Sequence, residues 1–294
     1  MLSCKCHRKY RHPPPLPFTR VLDRCGRMQY STKRPPKCEH LGQLKLLVSE
    51  IEFLTPYFGQ SLRVIYAGAA PGLHVPILAE LFSTMHFVLV DPAQSMIADR
   101  EYCNIEVIRD FMTDELASAY ATGPVLFISD VRVGAPDASE TDEAQQIRIQ
   151  RDMDAQRRWV EIMNPLSSIL KFRLPWSVGG NTTRYLDGKI HFPVYGKELT
   201  HEARLIVSMN APLKDYDNAR YEQKMAYFNR RMRPATYPGG RCYDCTSFHW
   251  VVSGYLAAAG YRDTDCSLKC HWIERELDKC KQRWLVSPLR NAQA

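Results

Sequence analysis

The sequence predicts an α/β fold, a parallel sheet with helices on both faces, carrying an irregular N-terminal arm and a C-terminal extension. Two observations predict it. Short apolar runs rich in Val and Ile alternate with segments of helical period, the pattern of a sheet covered on both sides. A glycine-containing turn follows the first run at once, and acidic residues close the second and fourth runs.

Residues 1–38 are rich in Pro, Arg and Cys and show no period, so they are expected to be irregular. Leu41, Leu44, Leu47, Val48, Ile51 and Leu54 then recur at helical spacing until Pro56, with Lys45 beside this apolar stripe. Residues 63–67 read as a first strand and 73–82 as a helix. Residues 86–90 form a second strand ending at Asp91, 105–108 a third, and 125–129 a fourth ending at Asp130. The charged stretch 142–163 lacks Gly and Pro and reads as a helix up to Pro165. Residues 168–173 and 204–208 are later strands, and from about Lys214 the chain reads as helical and then mixed. Tyr237-Pro-Gly-Gly240 is the clearest late break. The main domain is therefore placed at 39–236, with an appended subdomain at 237–294.

Composition narrows the class. The 45% hydrophobic and 24% charged shares are those of an ordinary globular chain. No stretch approaches the roughly 18 apolar residues of a membrane span, and no apolar core follows the basic N-terminus, so neither a membrane partner nor a secretory leader is expected. Residues 1–40 hold ten Lys or Arg against Asp23 and Glu39, while the whole chain carries +7. A basic arm on a near-neutral body favours a polyanion such as RNA, and a solvated tail is the plainer alternative. Ten cysteines with nothing directing the chain outward read mostly as reduced thiols. Cys242-x2-Cys245 and Cys266-x3-Cys270 are weak zinc candidates with irregular spacing.

Ligands of such sheets bind beyond the carboxyl ends of the strands, where residues 66–68, Asp91 and Asp130 fall. In Tyr66-Ala-Gly68-Ala-Ala-Pro71-Gly72-Leu-His74, glycines let the backbone approach a ligand closely, and Asp91 is placed to accept bonds from ribose hydroxyls. A dinucleotide pyrophosphate wants G-x-G-x-x-G with open amides, but Ala stands at position 70, and Pro71 has no N–H to offer. S-adenosylmethionine has no phosphate and loses little by this. The loop therefore favours a Rossmann-like sheet that binds S-adenosyl-L-methionine.

Several words occur in order along the chain: Gln43-Leu-Lys45-Leu-Leu47, the loop through His74, Ile128-Ser-Asp130-Val-Arg132, Asn164-Pro-Leu-Ser-Ser-Ile-Leu-Lys171-Phe-Arg173, His201-Glu202-Ala-Arg204-Leu205 and Tyr221-Glu222-Gln-Lys-Met-Ala-Tyr-Phe-Asn229. Together, over roughly residues 40–232, they resemble the poxvirus cap-specific mRNA (nucleoside-2′-O-)-methyltransferase family, whose members double as the small regulatory subunit of the poly(A) polymerase. The resemblance implies a methyltransferase domain. It also implies methyl transfer to the ribose 2′-O of the first transcribed nucleotide through a tetrad at Lys45, Asp130, Lys171 and Glu202, with Lys171 as base. A hydroxyl is a poor nucleophile at neutral pH, and a lysine serves as base only if burial or a nearby cation lowers its pKa.

The same resemblance puts Gln43, Tyr66, Gly68, Gly72, His74, Asp91, Phe111 and Arg132 at or beside cofactor-contacting positions. It puts Trp176 and Glu222 at cap-guanine contacts, with Val178 where a second carboxylate is expected. Tyr30 is the candidate for the second stacking ring. Implied partners are capped mRNA and a poly(A) polymerase catalytic subunit, and the implied location is the host cytoplasm, at viral factories, and the virion. Val178 and the weak N-terminal match leave a 2′-O-methyltransferase acting on another RNA, or a polymerase accessory subunit, as alternatives.

Overall fold

The computed structural model describes residues 18–31, 41–98, 101–132, 141–176, 181–261 and 265–287. Nine strands and seven α-helices are found among them: β1 Arg63–Ala67, β2 His86–Val90, β3 Ile105–Ile108, β4 Val125–Ser129, β5 Ser167–Phe172, β6 Thr182–Leu186, β7 Lys189–His191, β8 Ala203–Ser208 and β9 Leu213–Asp217; α1 Gly42–Leu54, α2 Val75–Leu81, α3 Asp114–Ala119, α4 Asp142–Met163, α5 Asn218–Tyr227, α6 Tyr243–Ala258 and α7 Cys266–Leu285. Seven strands form one sheet in the order β3-β2-β1-β4-β5-β8-β7. The first five are parallel, β8 runs antiparallel to β5, and β7 pairs antiparallel with β8. This is the Rossmann-like α/β sheet read from the sequence, with one reversal the strand–helix alternation did not disclose. β7 and β8 are joined without a crossover helix, so β8 returns antiparallel.

Strands β1, β2 and β4 are buried along nearly their whole length, as central parallel strands must be when helices cover both faces. One core lies on the side of α1, α2, α6 and α7, where Leu44, Leu47, Val48 and Ile51 of α1 meet Phe248, Val251, Val252 and Ile273. The other lies beneath α4 and α5, with Met153, Trp159 and Met163 packed on Phe127, Leu170 and Phe172. Helices α6 and α7 therefore sit inside the first core. The turn at Gly239 and Gly240, both with positive φ, breaks the chain without separating its core. Residues 213–217, expected to be helical, form β9 against β6, and α5 begins only after Asp217, whose side chain accepts the Arg220 amide as an N-cap.

Part of the arm expected to be irregular is built into the body. Arg20, 4% exposed, pairs with Glu52 of α1 at 2.7 Å, and residues 22–24 form a 3-10 turn. Lys224 of α5 donates to the Leu22 carbonyl and to Asp23. An irregular composition hides such anchors because each depends on a distant partner. No helix among the described residues is long and apolar enough to cross a membrane.

Candidate active site

Strand register creates the charged centre. The β4–β5 ladder ends at the pair Ser129 and Leu170, so the next residue on each strand, Asp130 and Lys171, emerges side by side at the carboxyl edge. Beyond that point β4 no longer supplies backbone partners to β5, and Gln156 of α4 takes over. Its side-chain amide donates to the Lys171 carbonyl and accepts the Lys171 N–H, both at 3.2 Å. On the other side Lys171 lies directly opposite Arg204 of β8, so the two side chains share one face of the sheet. Glu202 precedes Arg204 by two residues and is brought to the same face by the alternation of an extended chain.

The groups touch. Lys171 Nζ lies 3.0 Å from Asp130 Oδ1 and 3.8 Å from Glu202 Oε2. Lys45, projecting from α1 beside its buried stripe, reaches Glu202 Oε1 at 2.7 Å. Arg204 lies 2.9 Å from Asp130 and 3.6 Å from Glu202, and Arg132 reaches Glu202 Oε2 at 2.8 Å. Four cations thus surround two carboxylates. Burial pushes the Lys171 ammonium below its ordinary range; Asp130 and Glu202 oppose this, while Arg204 and Arg132 reinforce it. Burial alone would raise the carboxyls of Asp130 and Glu202, but the surrounding lysines and arginines overcome it and hold both well below the usual range. Both acids stay ionised, and the lysine is the group poised to lose a proton.

Lys45, Asp130, Arg132, Lys171 and Glu202 line a cavity of about 590 Å³ whose walls also carry Gly42, Gln43, Arg148, Arg173, Trp176 and Lys197. Trp176 stacks on His201 with centroids 4.1 Å apart and planes at 26°. Tyr30 meets Trp176 edge-on at 5.0 Å, and the Arg173 guanidinium lies over the Trp176 ring. Tyr30 and Trp176 are therefore neighbours, in an edge contact with no slot for a base between them. Glu222 sits on α5 next to Tyr221, whose hydroxyl donates to the His201 carbonyl at 2.6 Å. Val178 lies outside the described residues.

The glycine loop forms the second half of the site. Gly68 has φ +78°, and a Cβ there would stand 2.7 Å from the Val131 nitrogen and 2.8 Å from the Asp130 carbonyl carbon, so only glycine lets β1 and β4 come this close. Gly72 also has a positive φ. Asp91 accepts the Ala70 amide at 2.9 Å and the Ala93 amide at 2.8 Å, which pins the loop to the end of β2. Phe111 stands 66% exposed past β3. Tyr66 and His74 point inward: the Tyr66 hydroxyl donates to Glu50 at 2.6 Å, and His74 bridges Glu50 at 2.9 Å and Gln43 at 2.8 Å. Both side chains are buried supports beneath the loop. Burial, then Glu50 and Asp130, raise the Tyr66 phenol well above its ordinary range, so it remains a donor.

Arg204, Glu50 and Gln156 belong to the site beyond the residues the sequence predicts. An arginine inside the apolar run Ala-Arg204-Leu-Ile-Val, two positions after Glu202, was the available signal for the first. Glu50, amid the buried stripe of α1, was the signal for the second. Nothing local marks Gln156. Of the cysteine candidates, Cys266 and Cys270 lie together with His249, apart from Cys242 and from Cys245, whose sulfur accepts from the Tyr195 hydroxyl at 3.6 Å.

The cap-specific mRNA (nucleoside-2′-O-)-methyltransferase of Myxoma virus (strain Lausanne) is 26% identical over 225 residues, covering 68% of this chain and 63% of the viral protein. The equivalently named protein of Fowlpox virus (strain NVSL) is 26% identical over 219 residues, covering 67% and 70%. The match thus spans less than two thirds of the myxoma relative's length. Among solved structures, bluetongue virus VP4, described as a multifunctional RNA-capping production line, aligns with TM-score 0.47 and 15% identity over 69% of this chain and 34% of that one. The family model described as poly A polymerase regulatory subunit matches residues 14–253, and the chain belongs to that family.

Proposed function

We propose that this chain transfers the methyl group of S-adenosylmethionine to the ribose 2′-hydroxyl of the first transcribed nucleotide of capped mRNA. The observation that carries the reading is the buried Lys171 amine, held by Asp130 and facing Glu202 on the wall of the cavity. The names of the Myxoma and Fowlpox relatives support the substrate class. The residues of the loop fit the cofactor: Gly68 leaves room where a Cβ would clash, Asp91 ends β2 with a carboxylate, and Pro71 presents no amide to a phosphate. When bound, the sulfonium supplies an activated methyl group for in-line displacement.

The chain's own residues do the rest. Lys171, neutral after losing its proton to solvent, accepts the proton of the 2′-hydroxyl as the oxygen becomes nucleophilic. Asp130 and Glu202 fix the amine, while Lys45 and Arg204 hold those acids ionised. Arg132, Arg148, Arg173 and Lys197 line the approach and suit a polyanionic strand. Trp176, already stacked on His201, offers an aromatic platform for a base.

A tritium-transfer assay with S-adenosylmethionine and short RNAs differing only at the cap tests donor, acceptor and specificity together. Lys171→Ala should abolish transfer and spare cofactor binding; full activity in that variant would overturn the reading. Equal rates on capped and uncapped RNA would favour a 2′-O-methyltransferase of other RNA, a reading motivated by the absence of a base slot between Tyr30 and Trp176. The family description favours a further role beside a poly(A) polymerase catalytic subunit, checked by co-purification from infected cytoplasm, where such a protein would work and be packaged into virions.

A further inference from the structure

Helices α6 and α7 carry a cluster of soft ligands that the site above does not use. His249 of α6 meets Cys266 and Cys270 of α7, and one ring nitrogen and the two sulfurs all lie within 4.8 Å of one another. The i, i+4 spacing sets both thiols one turn apart on the same helix face. Cys266 and Cys270 are buried and His249 is half-buried, so the three donors converge inside the helix pair. Cys266 Sγ stands 3.5 Å from His249 Nδ1. A tetrahedral zinc, with bonds of about 2.3 Å to sulfur and about 2.0 Å to nitrogen, separates its sulfur and nitrogen ligands by about 3.5 Å. Buried cysteines are ordinarily small hydrophobes; the imidazole nitrogen turned toward this pair sets it apart.

We propose that His249, Cys266 and Cys270 form a zinc site, with a solvent molecule as the fourth ligand. Two sulfur–zinc bonds and one nitrogen–zinc bond form, and the two thiol protons pass to solvent. The donor set is soft, which favours zinc over the oxygen-seeking cations magnesium and calcium. The ion ties the start of α7 to the middle of α6. Both helices pack against α1, so the site braces the helix that delivers Lys45.

The test uses the full chain. Elemental analysis of protein purified without chelator should find about one zinc per chain, and removing it should lower Tm in a way that zinc reverses and magnesium does not. Cobalt added to the metal-free protein should give a thiolate charge-transfer band. That band should lose about half its intensity in Cys266→Ser or Cys270→Ser, vanish in the double variant, need at least about tenfold more cobalt in His249→Ala, and persist in Cys103→Ser and Cys280→Ser. Far-ultraviolet circular dichroism checks that each variant is folded, and the chelation arm uses the unmodified protein alone. Absence of the band on cobalt titration, or its survival in the Cys266→Ser, Cys270→Ser double variant, overturns the assignment.

Discussion

At the scale of single residues, the informative feature of the centre is the imbalance of four cations around two carboxylates. Arg204 is the cation whose removal separates electrostatics from chemistry, because it sits opposite Lys171 and contributes to lowering that amine's pKa. In wild type the rate should rise with pH until Lys171 is neutral and then level off. In Arg204→Met the favourable repulsion is gone, Lys171 holds its proton more tightly, and the rising limb of kcat/KM should move to higher pH. An unmoved limb would show that Arg204 only supports the fold. Lys171→Ala removes the base itself and should cost about 10²- to 10⁴-fold in rate on the plateau where Lys171 is neutral, and less as pH falls below it. Gly68→Ala acts by a third route. Its Cβ would collide with the backbone at Asp130 and Val131, on a residue already at positive φ, so both cofactor affinity and stability should fall, the latter by at least about 1 kcal/mol. Isothermal titration with the cofactor and a melting curve would check the two effects separately.

At the scale of elements, the legible parts were those whose signal is local. The period of α1, the apolar runs of β1, β2 and β4, and the acids at strand ends are properties of short windows, and the structure places them as read. The reversal of β8 was not legible, because direction depends on which neighbour a strand finds and not on its own residues. The ribbon of β6 and β9 is formed by two segments nearly thirty residues apart in sequence, each too polar to read as a strand alone. Gln156 could not be found for the same reason: its task exists only because the β4 ladder stops one residue short of Lys171. The anchoring of residues 18–24 is similar. Burial pushes the Glu52 carboxyl up, but Arg20 and then His191 overcome it and hold its pKa at about 2. Since the unfolded carboxyl titrates near 4.5, this pair stabilises the fold above that pH, and its contribution should fade as pH falls from about 4.5 to about 2. Arg20→Met leaves the Glu52 carboxylate with only His191 beside it and should destabilise by up to about 3 kcal/mol at neutral pH, whereas Arg20→Met with Glu52→Gln should recover part of that loss. Urea denaturation at pH 7 and pH 3 would measure both.

At the scale of the whole molecule, basic charge collects in the N-terminal sequence and along a trench. The trench is the cavity wall with Arg132, Arg148, Arg173 and Lys197, and its aromatic end is Trp176 on His201. Burial, and then Arg173, lower the His201 pKa to about 3, so the stacked imidazole is neutral at physiological pH and adds no charge to the trench. A base that displaces Tyr30 from its edge contact would pack against the Trp176 ring, so Trp176→Ala should weaken RNA binding by about 1–3 kcal/mol, roughly 5- to 150-fold in Kd, with cofactor affinity unchanged. The arm contributes differently. Residues 1–17 carry Lys5, Arg8, Lys9 and Arg11 and no acid, whereas residues 18–24 carry the Arg20 anchor. Deleting 1–17 removes up to four phosphate contacts, so the slope of log K against log salt for single-stranded RNA should shrink by at most about 3, with Tm unchanged. Deleting 1–24 also removes Arg20 from Glu52 and takes the Leu22 and Asp23 acceptors from the Lys224 ammonium, so Tm should fall as well. An equal salt slope for the full chain and the shorter deletion would assign RNA attraction to the trench and the basic residues after position 17. A lowered Tm in the shorter deletion would mean that the fold, too, depends on the first seventeen residues.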